Sequence, residues 1–455
     1  MSLPHLRNSL RPVGRIFATT VANRATPVLI SKCVFSTETT TSATDVARAS
    51  ISKDDRKRIA AVRLAQPTLQ QRIEKTEGLY SASQLKDITE EDVGRYVTLD
   101  LNDVHPSLQP YVAAEAKASG NYWLVRPETL QTIKDIEQFR DRYVLPVPTH
   151  PADVYPKGTK NLVFLHGLSG TGKSIILAQA AAYFKQKKWI VVSSCGYDVS
   201  HDIKGLVQPA VFEGRTGIFE QHLKSREYLQ YLAVNFGEQL KQIPLVGEYE
   251  HFNWERSDDP SLNAPEESDI QGSVDEFLPF PRHNVLPRPK KGTTLFDLVN
   301  VGAWRCDLAG PIFSYMVDEL RKQSQIPVLF AFDDVNQLDQ DSEMWDLRDP
   351  FKRLSTRVLS IGDCFARVIT EPPVRGATLI ASNAKLNAVR MQEYMERAAT
   401  HRRIYNYTSD EIQGALEHYS TSKFLLTPLD LEILRRCELL TGGVPKDVYR
   451  FCVPH

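Results

Sequence analysis

Gly167-Leu-Ser-Gly-Thr-Gly-Lys173-Ser174 is a complete G-x-x-x-x-G-K-S phosphate loop, and its setting decides the fold. The apolar run Asn161-Leu-Val-Phe-Leu-His166 leads into it, and an alanine-rich helical run, Ile175 to Phe184, leads out. Strand, glycine loop, helix is the context in which such a loop works. Glycines let the backbone curl until successive N–H groups face phosphate oxygens, and the helix N-terminus adds its positive dipole end. In that arrangement Gly167, Ser169, Gly170, Thr171 and Gly172 form the cradle. Lys173 reaches the β- and γ-phosphates, and the Ser174 hydroxyl ligates Mg²⁺.

Outward from the loop the chain alternates. Trp189-Ile-Val-Val-Ser-Ser194, Val328-Leu-Phe-Ala-Phe332 and Ala377-Thr-Leu-Ile-Ala-Ser382 read as further buried strands, with helical patterns between them. Short continuous apolar strands separated by helices predict a parallel sheet covered on both faces, an α/β P-loop fold. Helices are expected over 174–187, 218–236 and 295–323. From about Tyr405 the chain reads as a small helical lid. Ser409 is the expected N-cap of helix 410–420, a second helix over 430–440 ends at Gly442-Gly443, and a last one starts at Pro445.

A phosphate loop needs carboxylates on a neighbouring strand to hold Mg²⁺ through water. Val328-Leu-Phe-Ala-Phe-Asp333-Asp334 supplies them. Asp333 is the magnesium-side residue. Asp334 stands where many ATPases carry the glutamate that polarises attacking water, and its side chain is one methylene shorter. Asn383, at the end of the next strand, is a candidate sensor between the γ-phosphate and the carboxylates; it is equally an ordinary turn residue. Arg402 and Arg403 are the positions for an arginine finger, although adjacent basic residues are more often surface. The Asn-Lys-x-Asp element that selects guanine is absent, so the residues alone leave ATP and GTP open.

The 455 residues carry 42% hydrophobic and 24% charged side chains and a net charge of -1, which argues against a protein held on nucleic acid mainly by bulk charge and leaves room for a local basic patch. No apolar run approaches the length of a membrane span. Arg7, Arg11, Arg15, Arg24 and Lys32 all precede the first acidic residue, Glu38, among many Ser, Thr and Ala. Residues 1–36 thus read as a mitochondrial transit peptide, the other reading being a disordered basic arm. Residues 37–145 form an N-terminal extension, with a basic cluster near Lys53 to Arg63. The core is expected over 146–400 and the lid over 401–455. An acidic, proline-containing insertion at 246–292 is either draped over a partner or a solvated loop. The six cysteines form no C-x-x-C pair and read as reduced thiols.

The presequence, the phosphate loop, Val328-Leu-Phe-Ala-Phe-Asp-Asp-Val-Asn336 and Tyr405-Asn-Tyr-Thr-Ser-Asp-Glu411 together resemble the death-associated protein 3 family, over roughly residues 120 to 455. The resemblance implies an AAA+-like core binding a guanine nucleotide, GTP or GDP, with ATP possible on the residues alone. It also implies a place in the head of the mitochondrial small ribosomal subunit, among its proteins and rRNA and near the bridges to the large subunit, in the matrix. Turnover is not implied, because a nucleotide can be a structural ligand. An active AAA+ or signalling ATPase of the matrix is the rival reading. A small-molecule kinase is weaker, since no acceptor-binding constellation is visible.

Overall fold

The computed structural model describes residues 78–109, 112–113, 116, 120–140, 161–201, 208–209, 217–246, 293–346, 349–383 and 388–453. The presequence, the basic cluster, Val144–Pro148 and all of the acidic insertion but Val246 lie outside them.

A small sheet comes first: β1 (Tyr80–Gln84), β2 (Tyr96–Thr98) and β3 (Tyr122–Leu124), with β1 parallel and β3 antiparallel to β2. Helix α1 (Pro127–Glu137) follows, with Pro127 at a position whose N–H has no intrahelical partner. Next come β4 (Leu162–His166), α2 (Lys173–Gln186), β5 (Ile190–Cys195) and α3 (Gly196–His201). The short pair β6 (Gln208–Pro209) and β7 (Phe219–Glu220) precedes α4 (His222–Leu240), α5 (Leu295–Trp304) and α6 (Cys306–Lys322). After β8 (Val328–Asp333) a hairpin of β9 (Asp341–Asp346) and β10 (Asp349–Ser355) leads to α7 (Ser360–Thr370). β11 (Gly376–Ala381), α8 (Ala388–Arg397) and β12 (Thr400–Arg403) complete the core, and α9 (Ser409–Thr421), α10 (Leu431–Thr441) and α11 (Pro445–Cys452) close the chain.

The main sheet runs β12–β4–β11–β8–β5, parallel at every pairing. Every residue of β5, β8 and β11 is buried, as continuous apolar strands covered on both faces must be. The alanine-rich α2 is buried nearly all round, because small side chains let it lie close between the sheet and residues 78–140. Gln179, in its middle, is fully buried and satisfied: it accepts from Thr129 Oγ1 at 2.8 Å and donates to the Leu124 carbonyl at 3.0 Å. Leu85, Val97, Leu99, Trp123, Ile133 and Phe139 thereby share one hydrophobic core with the sheet. The C-terminal helices have a second core of their own, built on Ile412, Leu416, Tyr419, Cys437 and Val448.

Four elements differ from the sequence reading. The cap of α9 is Thr408, whose hydroxyl accepts from the Glu411 N–H while Glu411 reaches back to the Thr408 N–H; Ser409 is already helical. The helix expected over 295–323 breaks at Arg305, whose extended backbone caps both α5 and α6. The pattern over 218–236 opens as a strand, β7, before α4 begins. Residues 400–403 add a fifth strand to the core sheet. No helix among the described residues is long and apolar enough to cross a membrane.

Candidate nucleotide site

Because the sheet is parallel, its strands end together at one edge. Leu165 of β4 lies opposite Ala381 of β11, and Ile380 opposite Phe332 of β8. The phosphate loop, Asp333-Asp334 and Ser382-Asn383 thus follow three adjacent strands at the same carboxyl end, the place where open α/β sheets bind ligands.

The loop curls as its glycines require. Gly167, Gly170 and Gly172 take φ of 138°, 81° and 95°, a region that side chains disfavour. Crowding adds a second constraint at Gly167, where a Cβ would meet the Ile404 carbonyl at 2.5 Å. Gly172 caps α2 without a side-chain bond, so the first helical N–H groups remain for another acceptor. The Lys173 ammonium donates to the carbonyls of Gly167 at 3.1 Å and Leu168 at 2.5 Å, and the Thr171 hydroxyl also bonds Leu168, at 3.0 Å. Burial holds the Lys173 pKa below its usual value, against the pull of Asp333 and Asp334.

Asp333 is buried, and desolvation pushes its carboxyl up to about 6; the Ser174 hydroxyl bonded to it pulls the other way, while the Asp334 charge adds to the rise. Asp334 follows in the left-handed region, φ 53°, which swings its side chain out of line with the strand. Asn383 donates to that carboxylate, and Gln337 Nε2 approaches its other oxygen at 3.4 Å. Asn336 completes the cluster, exchanging bonds with the side chain and the N–H of Asn383.

These groups line a cavity of about 410 Å³. Ser169, Gly170, Gly172, Lys173, Ser174, Asp333, Asp334 and Asn383 face it; Gly167 and Thr171 do not, and shape the loop from behind. Arg402 and Arg403 are elsewhere: Arg402 pairs with Asp135, and Arg403 lies over the Tyr405 ring at 5.3 Å. The opposite wall has no counterpart in the sequence reading. It consists of Trp123 and Arg126 from the N-terminal piece and Tyr407, Lys446, Tyr449 and Arg450 from the C-terminal helices. Only Tyr407 falls in a segment that carries the family resemblance, Tyr405–Glu411; the others belong to no motif. The Lys446 N–H donates to the Gly170 carbonyl at 3.1 Å, so the start of α11 rests on the loop itself. Two buried polar atoms on the cavity wall, Trp123 Nε1 and Ser382 Oγ, have no hydrogen-bond partner among the described residues.

The model of the family described as mitochondrial ribosomal death-associated protein 3 matches residues 155–450, more than half of the chain. No curated protein sequence matches it. Among solved structures it is similar to Cdc6p from Pyrobaculum aerophilum, at 12% identity and a TM-score of 0.31, over 78% of this chain and 63% of that one. It is also similar to a chain of the HORMA:CdnC:Trip13 complex of E. coli MS115-1, at 13% identity and a TM-score of 0.29, over 76% of this chain and 83% of that one. At those scores neither likeness carries an argument. The loop, the acidic strand and the family match agree: the chain belongs to the mitochondrial ribosomal death-associated protein 3 family.

Proposed function

We propose that the chain seats a purine nucleotide with Mg²⁺ as a resident part of the mitochondrial small subunit and supports translation from there. The observation that carries this is the convergence of three adjacent strand ends and a glycine loop on one cavity. The residues fit the ligand. The loop presents helix-terminal N–H groups, Lys173 adds positive charge, and two buried polar atoms on the wall lack partners among the described residues. Ser174 and Asp333 would hold Mg²⁺, Asp333 through water; a cation there offsets the burial that raises the Asp333 pKa. The guanine preference, GTP or GDP over ATP, comes with the family resemblance.

Holding fits the geometry better than spending. The Asp334 carboxylate, the candidate for polarising water, is engaged by Asn383 and Gln337. Both candidate finger arginines are occupied away from the cavity. The matrix, the small-subunit proteins and rRNA, and a reach to the large subunit through intersubunit bridges form the setting of this reading.

Denaturing extraction of the purified protein, with chromatography of what it releases, should yield near-stoichiometric guanine nucleotide, and none from Lys173→Ala. Steady phosphate release abolished by Lys173→Ala would replace the seat with an enzyme. Absence of any nucleotide, with no binding on titration, would remove the reading altogether.

A further inference from the structure

Arg126 stands where three parts of the chain meet. It leaves β3 as the N-cap of α1, and its side chain is 5% exposed. Nη1 donates to the Thr171 carbonyl at 3.0 Å, Nε to Glu411 at 2.9 Å, and Nη2 to the Tyr405 carbonyl at 3.2 Å. The guanidinium lies over the Tyr407 ring at 5.1 Å. Glu411 is itself the residue that closes the cap of α9. One planar fork therefore touches the phosphate loop and the first C-terminal helix at once.

The bond to Thr171 has a directional consequence. A trans peptide is planar, with its C=O and N–H on opposite sides. Holding the Thr171 carbonyl turns the Gly172 N–H away from the guanidinium, and this N–H is one that α2 cannot satisfy. The bond to Glu411 acts on a different body. Helices α9–α11 pack around their own core, and their contact with the loop is polar: Lys446 on Gly170, and Arg126 between Thr171 and Glu411. A bundle with a core of its own, held to the loop by polar contacts and to the small N-terminal sheet by the His418–Tyr96 stack, can tighten or loosen against its neighbours as a unit.

We propose that Arg126 is a positioning residue that couples nucleotide occupancy of the phosphate loop to docking of the α9–α11 bundle. This rests on the nucleotide reading of the cavity. Coupling is reciprocal: if the docked bundle favours the binding form of the loop, bound nucleotide tightens the bundle by the same factor. Arginine is required because a lysine ammonium cannot span Thr171, Tyr405 and Glu411 in one plane.

The test uses the full chain, titrated with Mg·GDP and Mg·ADP in parallel, with hydrogen exchange followed over Ser409–Thr421. In the wild type the tighter nucleotide slows exchange across α9. Arg126→Lys should weaken its binding roughly tenfold and abolish that slowing. Glu411→Gln keeps a residue able to close the cap and leaves Arg126 on the loop; it should also lose the slowing, with a smaller change in affinity. A merely structural arginine would lower the melting temperature and leave the nucleotide-dependent slowing in place. The proposal is overturned if both variants bind as the wild type does and still show slowed exchange. If the wild type binds neither nucleotide, the nucleotide seat falls first and this coupling with it.

Discussion

Asn383 donates its side-chain amide to the carboxylate of Asp334, joining the ends of two neighbouring strands. Asp334 sits in the left-handed region, which Asn and Asp tolerate better than other side chains. Asp334→Asn keeps both the conformation and an acceptor for Asn383, so its stability should stay close to wild type. Asp334→Ala loses both and should cost about 2 kcal/mol in urea denaturation of the nucleotide-free protein. An alanine variant as stable as the wild type would mean the cluster holds nothing.

Asp333 gives a pH signature. Its folded pKa of about 6 lies above the ordinary 3.8. The group therefore favours folding at low pH and withdraws that support as pH rises through about 6. Asp333→Asn should be more stable than the wild type at pH 8, by about 3 kcal/mol in urea denaturation, and approach it at pH 4, both without nucleotide. At the same time it should lose Mg²⁺-dependent binding. A difference that does not shrink on acidification would contradict a carboxylate whose burial outweighs its hydrogen bonds.

Two buried histidines, His105 and His418, predict the opposite sign. Burial lowers His105 and His418 to about 3, and His418 stacks on Tyr96 with its Nδ1 bonded to Tyr80 at 2.8 Å. A depressed histidine supports folding above its ordinary 6.5, and that support drains away as pH falls below it. His418→Phe should flatten the acid side of the stability profile between pH 6 and 4 by roughly 1.4 kcal/mol per pH unit. A parallel profile would place the proton elsewhere.

Gly167→Ala should be among the most damaging single-methyl changes. Its Cβ would stand 2.5 Å from the Ile404 carbonyl at a φ of 138°, and Ile404 N–H bonds back to His166 at 2.8 Å. Relief requires moving the end of β12, at a cost of about 3 kcal/mol, and nucleotide binding should fall with it. Differential scanning fluorimetry with and without Mg·GDP reads both. A variant with unchanged melting and unchanged ligand shift would show that the seam yields freely.

The nucleotide half of the cavity was legible because its chemistry is local. Gly167 to Ser174 and Val328 to Asp334 each carry their meaning within eight residues. The other half was not, since Arg126, Tyr407 and Lys446 reach the loop only through the fold and share no spacing with it. β12 escaped for a related reason. Thr400-His-Arg-Arg403 is a polar edge strand with alternating half-buried and exposed residues, and it presents no apolar signal. The cap of α9 moved by one residue because Thr408 and Ser409 are chemically interchangeable there, and only Glu411 three residues on from Thr408 separates them.

The strand order has a consequence for biogenesis. Among the described residues β4, which launches the phosphate loop, pairs with β11 and β12 alone, and these begin at residues 376 and 400. A chain emerging from its N-terminus thus carries the apolar run Leu162–Leu165 with neither neighbour until almost everything else has followed. Such long-range pairing is slow and leaves sticky intermediates exposed. A fragment ending before Gly376 should aggregate, and the nucleotide seat can form only as a late step of folding.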